Sequence, residues 1–261
     1  MINMRTYSNP WIPDGAYKIL CNEAGIILDV GGGSSPYVGA SHVLDMNEFS
    51  LKCLTNNAWG VPSNLTDNSR IMDGVIREWS ERQYTQFDVC SGKAWPFKDK
   101  QFDLGLCSHT LEDLRDPLLA ARELFRVSKR VLIIGPSRLL EQTKGVDNPW
   151  YCGFPHHLWM IYEENGAVII RRKAAIPYLR GCHLVCPLGK TLSREAGSMF
   201  ITGSDMKVVE KIFYSSGEER KECIKFLEPY INRMDIFVDE NYKHDLRYWI
   251  WKCRQRIFGT L

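Results

Sequence analysis

Gly25-Ile26-Ile27-Leu28-Asp29-Val30 runs directly into Gly31-Gly32-Gly33-Ser34-Ser35-Pro36, and that junction constrains the fold more than any other stretch of the chain. The apolar run does not alternate with polar residues, so it predicts a strand buried on both faces, as in a parallel sheet. The glycines that follow let backbone approach a ligand closely, because glycine has no Cβ and tolerates positive φ. They do not spell a dinucleotide fingerprint. The third glycine position of G-x-G-x-x-G is Pro36, and only 14 residues separate Gly31 from Asp45, which leaves little room for a full crossover helix with a pyrophosphate at its N-terminus.

The rest of the chain extends the pattern. His42-Val43-Leu44-Asp45 and Gln86-Phe87-Asp88-Val89-Cys90 read as further strands, with a helix over 71–82 between them. Residues 102–108 read as a strand, residues 117–127 as a helix opened by Pro117, and residues 130–134 as a strand stopped by Gly135-Pro136. Strand, helix and strand in succession imply right-handed crossovers. The expected fold is therefore α/β, a Rossmann-like doubly wound, mostly parallel sheet. Residues 138–155 read as a loop, and residues 158–173 as a hairpin turning at Glu164-Asn165-Gly166. Helical spacing over 206–213, 218–234 and 242–257 predicts a mainly helical C-terminal extension. The expected division is a domain over residues 1–173 and an extension over 174–261 that covers the substrate or mediates association. A length of 261 residues, 44% of them hydrophobic, suits one large domain with such an appendage.

Asp29, Asp45 and Asp88 each stand at the carboxyl end of a predicted strand, where open α/β sheets bind ligands. Singly, each acid reads as a turn residue or loop cap. In series they suit a ligand with an adenosine part and no phosphate. Asp45 can accept from both ribose hydroxyls, and Asp88 from an adenine amino group.

Asp29-Val30-Gly31-Gly32-Gly33, Asp45, Asp88-Val89-Cys90-Ser91-Gly92, Trp95-Pro96-Phe97 with Phe102-Asp103, Cys107-Ser108-His109-Thr110-Leu111-Glu112-Asp113-Leu114, and Glu123-Leu124-Phe125-Arg126-Val127 together resemble the class I S-adenosylmethionine-dependent methyltransferases, in particular the group with a methyltransferase type 11 domain. The resemblance spans roughly residues 25–137. It implies S-adenosylmethionine as cofactor, with Asp29, Gly31, Gly32 and Gly33 bordering the methionine portion, Asp45 on the ribose, and Asp88 with Val89 at the adenine. Cys107, Ser108 and His109 would then sit beside the methyl donor. The implied reaction is methyl transfer to a small-molecule or glycan acceptor. The chain departs from the family in its short crossover after Gly33, in Leu111-Glu112-Asp113 where Leu-Glu-His is common, and in a Lys129-Arg130 turn without glycine. The short crossover and the lack of a self-evident base keep open an alternative, a catalytically inactive binding or scaffold subunit built on the same fold.

Methyl transfer from a sulfonium needs an aligned acceptor and, for a hydroxyl or protonated amine, removal of a proton. Histidine suits that task near neutral pH, which makes His109, His156 and His157 the catalytic candidates; the structural alternative is a hydrogen-bonded residue that shapes the pocket. Arg138 and Glu141 are candidate polar pocket groups without a catalytic role. No metal site is expected, because adjacent histidines on an extended segment point to opposite faces.

Thirty-three basic against 31 acidic residues give a net charge of +2, which disfavours a nucleic-acid substrate. The charge is uneven, since Lys243, Arg247, Lys252, Arg254 and Arg256 face one acid, Asp245, among the aromatics of the last 19 residues. Such a tail can lie on an anionic membrane surface, or it can pack on the domain or a second subunit of a homodimer. The nine cysteines are scattered and odd in number, and no apolar run is long enough for a signal peptide core or a transmembrane segment. A cytoplasmic location is expected.

Overall fold

A computed structural model describes residues 12–33, 36–37, 39–47, 83–147, 150–173 and 181–239. The expected helices over 71–82 and 242–257, the basic tail, and Ser34 and Ser35 of the glycine-rich turn lie outside the described residues.

The central sheet is built from β1 (Ile27–Val30), β2 (His42–Asp45), β3 (Gln83–Gln86), β4 (Phe102–Ser108) and β5 (Ser128–Pro136), all parallel, with β11 (Ser198–Gly203) antiparallel along β5. Its order is β3-β2-β1-β4-β5-β11. The chain moves outward from β1 to β3 and returns to β4 beside β1, so the strand order reverses between β1 and β4. A crevice opens at the carboxyl edge at such a point. This is the mostly parallel, Rossmann-like sheet expected from the sequence.

Both faces of the sheet are covered, which explains the continuous apolar runs. In β5, Val131 and Ile133 pack with Leu28, Leu124 and Phe125, while Leu132 and Ile134 pack with Ile12, Ala16 and Leu20 on the other side. The second face is covered by α1 (Asp14–Cys21), and the first by α2 (Pro117–Val127). α2 starts where it does because Asp116 accepts the Leu119 backbone N–H at 3.0 Å, and Pro117 follows at the first helical position. Leu124 is fully buried, and burial of such a side chain stabilises by about 1.5–3 kcal/mol.

A second sheet orders β7 (Trp159–Glu164), β8 (Ala167–Arg172) and β12 (Lys207–Glu210) as β12-β8-β7. The turn between β7 and β8 falls where expected, with Asn165 at φ 53° and Gly166 at φ 73°, the pair of positive φ values that a two-residue type I′ hairpin turn requires. The base of this hairpin is sewn to the loop after β4, where Leu158 N–H donates to Glu112 O at 2.8 Å and Trp159 Nε1–H to Leu114 O at 2.9 Å.

Four local expectations change. The helix expected over 206–213 is strand β12, because Val208 and Val209 pair in register with Val168 and Ile169 of β8, and ladder hydrogen bonds from a distant segment override local spacing. The third strand ends at Gln86, which leaves Asp88 two residues beyond it. The loop expected over 138–155 opens with a one-turn helix, Arg138–Glu141, capped by Ser137, and continues into a short strand, β6 (Thr143–Lys144). The helix expected over 218–234 spans Ser216–Leu227 and tightens to a 3-10 turn at Glu228–Tyr230, where Pro229 removes a backbone donor. The C-terminal extension holds this helix together with short strands, among them β9 (Leu184–Val185) and β10 (Lys190–Leu192), and its β11 completes the central sheet.

Candidate functional site

Backbone geometry at the end of β1 sets the site. Gly31 turns at φ 79° and donates its N–H to Leu44 O at 2.9 Å, and a Cβ there would collide with the Thr110 side chain. A Cβ on Gly32 would strike the Asp29 carboxylate, and one on Gly33 that of Asp45. The run of glycine is therefore a packing requirement between two acids and the loop after β4.

Asp45 ends β2. Its Oδ2 accepts Gly33 N–H at 3.0 Å, and its Oδ1 accepts the Asn47 backbone N–H at 2.8 Å and side-chain Nδ2 at 2.9 Å. Each carboxylate oxygen has two acceptor directions, so these contacts fill Oδ1 and leave one direction on Oδ2 for a hydroxyl of a ligand. Asp88 is exposed; its Oδ1 accepts Cys90 N–H at 2.8 Å, and its Oδ2 faces Arg115 at 3.4 Å. The same Arg115 donates to Cys90 O at 2.6 Å and so ties the loop after β3 to the loop after β4.

His109 follows β4 at φ 50°, with its backbone N–H on Ile134 O at 2.9 Å. A non-glycine residue in this conformation is uncommon and marks a position held by its surroundings. Its Nδ1 lies 3.5 Å from Oε1 of Glu112, which is 2% exposed and makes no hydrogen bond through that oxygen among the described residues.

These parts meet in a cavity of about 430 Å³ at the carboxyl edges of β1, β2 and β4, lined by Gly31, Asp45, Asp88 and Val89 together with His109, Thr110, Asp113 and Arg115. Its size falls within the usual range for small-molecule sites, about 300–1,000 Å³. Of the residues singled out in the sequence, Gly31, Asp45, Asp88, Val89 and His109 line it. Gly32 and Gly33 stand behind the turn. Asp29 is braced inside by Tyr37 N–H at 2.7 Å; burial raises its carboxyl to about 7, against the lowering effect of that N–H and with a further push from Asp45. Cys107 is fully buried, which pushes its thiol well above the usual range. Ser108 contributes its carbonyl, which accepts Thr110 Oγ1–H at 3.0 Å. Arg115, Thr110 and Asp113 were not singled out as pocket groups. They reach the cavity through a loop whose course depends on the hairpin, and short-range patterning carries no signal for that.

His157 is buried. Its Nδ1 is 2.7 Å from Glu141 Oε1, and Lys173 Nζ lies 2.5 Å from the other oxygen of Glu141. Burial disfavours the imidazolium, but the Glu141 hydrogen bond and the charges of Glu141, Glu112 and Asp113 outweigh it, so His157 titrates above its ordinary value. Glu141 is thus a partner of His157, and Arg138 is a buried partner of Gln142 and Glu222. His156 is exposed. The two histidines do not diverge as an extended segment would require, because residues 155–156 form a turn; their ring centroids lie 4.5 Å apart at 79°.

The sheet, the crevice between β1 and β4, and the acids at its edge define a class of protein, and residues 55–132 match the model of a methyltransferase domain. That match covers 78 of the 261 residues and makes this segment similar to the methyltransferase domain family. Among curated proteins the chain is similar to two ubiquinone/menaquinone biosynthesis C-methyltransferases from different strains of Xylella fastidiosa, one 34% identical and the other 28% identical, each over 162 residues covering 59% of this chain and 56% of the relative. The chain therefore spans about half the length of the curated relatives it matches. Among solved structures, a methyltransferase-like protein from Bacillus halodurans matches with 19% identity and a TM-score of 0.33, covering 47% of this chain and 50% of that one. No helix among the described residues is long and apolar enough to cross a membrane.

Proposed function

We propose that the protein is an S-adenosylmethionine-dependent methyltransferase acting on a small-molecule or glycan acceptor. The observation that carries this proposal is the convergence, in one cavity, of the Gly31 turn, Asp45, Asp88 and His109. The residues fit the cofactor on two counts: Gly31 lines the cavity without a side chain, and Asp45 Oδ2 keeps one acceptor direction beside it. Asp45 would hold the ribose, Asp88 and Val89 the adenine, and the Gly31 turn the methionine part. Bound S-adenosylmethionine supplies an electrophilic methyl on a sulfonium.

The chain's own residues then have two tasks. The cavity walls hold the acceptor in near-attack distance, about 3–3.5 Å. His109 takes the acceptor's proton on an imidazole nitrogen, and the buried carboxylate of Glu112, at 3.5 Å, stabilises the imidazolium that forms. Because the names of the two curated relatives specify carbon methylation for those proteins, the acceptor panel for this chain includes carbon acceptors besides hydroxyls and amines. Residues 1–173 carry cofactor binding, and the scattered thiols suit the cytoplasm.

Isothermal calorimetry with S-adenosylhomocysteine tests the proposal. Micromolar or tighter binding at one site per chain is expected. No detectable binding to folded protein would refute it, and binding without methyl transfer to any acceptor class would favour the scaffold alternative.

A further inference from the structure

We propose that Asp113, His156 and His157 form a divalent transition-metal site at the rim of the cofactor cavity. One carboxylate oxygen of Asp113 and one ring nitrogen of each histidine all lie within 4.8 Å of one another. Two imidazoles and one carboxylate are a donor set for zinc-class ions, and three protein ligands leave coordination positions open for an exogenous oxygen.

Three features distinguish this cluster from a chance meeting of polar side chains. First, the turn at 155–156 brings together two adjacent imidazoles that extended backbone would send to opposite faces. Second, His157 is already oriented as a ligand. Its Nδ1 is engaged by Glu141 at 2.7 Å, and Glu141 is in turn held by Lys173 at 2.5 Å; a carboxylate behind a ligating histidine fixes the tautomer and leaves Nε2 for a metal. Third, the spacing needs only a small closure, at the exposed members. Tetrahedral bonds of about 2.1 Å place ligand atoms about 3.4 Å apart, so the set must close by up to about 1.4 Å from its widest spacing. Asp113 and His156 are exposed and His157 is buried, so the closure falls to the two exposed side chains.

Asp113 also lines the cofactor cavity next to His109. A metal held there would face the acceptor side, and its open position would take an oxygen of the acceptor, which favours a hydroxyl or phenol that ionises on coordination. This link to the acceptor rests on the methyltransferase proposal, whereas the metal site rests on its own geometry.

The test uses the full chain, stripped with chelator and titrated with Co²⁺, followed by visible absorbance and metal content per chain, with S-adenosylhomocysteine binding measured in parallel. One Co²⁺ per chain is expected, with d–d bands of a four- or five-coordinate nitrogen and oxygen site, without thiolate-to-metal charge transfer, and displaced by Zn²⁺. Asp113→Asn and His156→Gln, both at exposed positions, should each weaken Co²⁺ by tenfold or more, and Glu141→Gln by about 10–100-fold through His157. The site is overturned if no saturable Co²⁺ binding occurs, if the spectrum reports thiolate ligands, or if Asp113→Asn and His156→Gln bind Co²⁺ as the parent does. Retained S-adenosylhomocysteine binding in a chain without Co²⁺ affinity removes the metal site alone. Loss of both removes the methyltransferase proposal too.

Discussion

Asp29 carries a strong and unusual pH dependence. Its carboxyl is 2% exposed and titrates near 7 in the folded chain, pushed up chiefly by burial, whereas the same group in an unfolded chain titrates near 3.9. Between those values the folded protein holds a proton that the unfolded chain releases. Stability therefore falls as pH rises through that window, with a limiting slope of about 1.4 kcal/mol per pH unit and a total on the order of 4 kcal/mol. Asp29→Asn removes the titration but keeps an oxygen that can accept Tyr37 N–H, now made at 2.7 Å. The variant should match the parent within about 1 kcal/mol near pH 4.5 and exceed it by several kcal/mol at pH 8. Urea unfolding followed by tryptophan fluorescence at the two pH values measures both differences. If the gap between variant and parent changes by less than about 1 kcal/mol across the range, burial does not hold this carboxyl protonated as described.

Asp45→Ala removes a charged acceptor for a ribose hydroxyl; at about 1.5–3 kcal/mol per charged hydrogen bond, S-adenosylhomocysteine affinity measured by calorimetry should fall about tenfold or more. Gly31→Ala forces a side chain into left-handed backbone at φ 79° and against Thr110, which should cost at least about 1–2 kcal/mol in urea unfolding and weaken cofactor binding in the same preparation. Leu124→Ala opens a cavity in the face shared with Val131 and Ile133 and should cost about 2–5 kcal/mol, with little change in cofactor affinity per folded molecule. His157→Gln should remove a contribution to stability that is complete below about pH 6.5 and lost as pH rises through the elevated value of the folded imidazole; differential scanning fluorimetry in chelator should show the two melting curves converging at high pH.

The legible parts of the fold were those whose cause is local. β1 and its glycine stop could be read because a strand buried on both faces leaves an unbroken apolar run. The helix Pro117–Val127 could be read because Asp116, Pro117 and its apolar spacing agree, and the hairpin because Asn165-Gly166 satisfies two positive φ values. What stayed hidden depends on distant partners. Lys207-Val208-Val209-Glu210 becomes strand through pairing with β8. Arg115 enters the cavity only because the loop after β4 is pinned by Leu158 and Trp159. In the cavity lining, Asp45 was legible from its place at a strand end and His109 from the Cys107-Ser108-His109 block of the resemblance, whereas Asp88 was expected at a strand end and stands two residues beyond it. The juxtaposition of Asp113 with His156 and His157 was not legible, since it needs the turn at 155–156 and the hairpin's docking on the loop after β4.

A crystal structure of the full chain with S-adenosylhomocysteine tests the central claim most directly. A ribose hydroxyl should lie within hydrogen-bond distance of the Asp45 carboxylate, the adenine beside Asp88 and Val89, and the sulfur should face His109 across the cavity. A ligand bound elsewhere, or one with its ribose away from Asp45, would contradict the site.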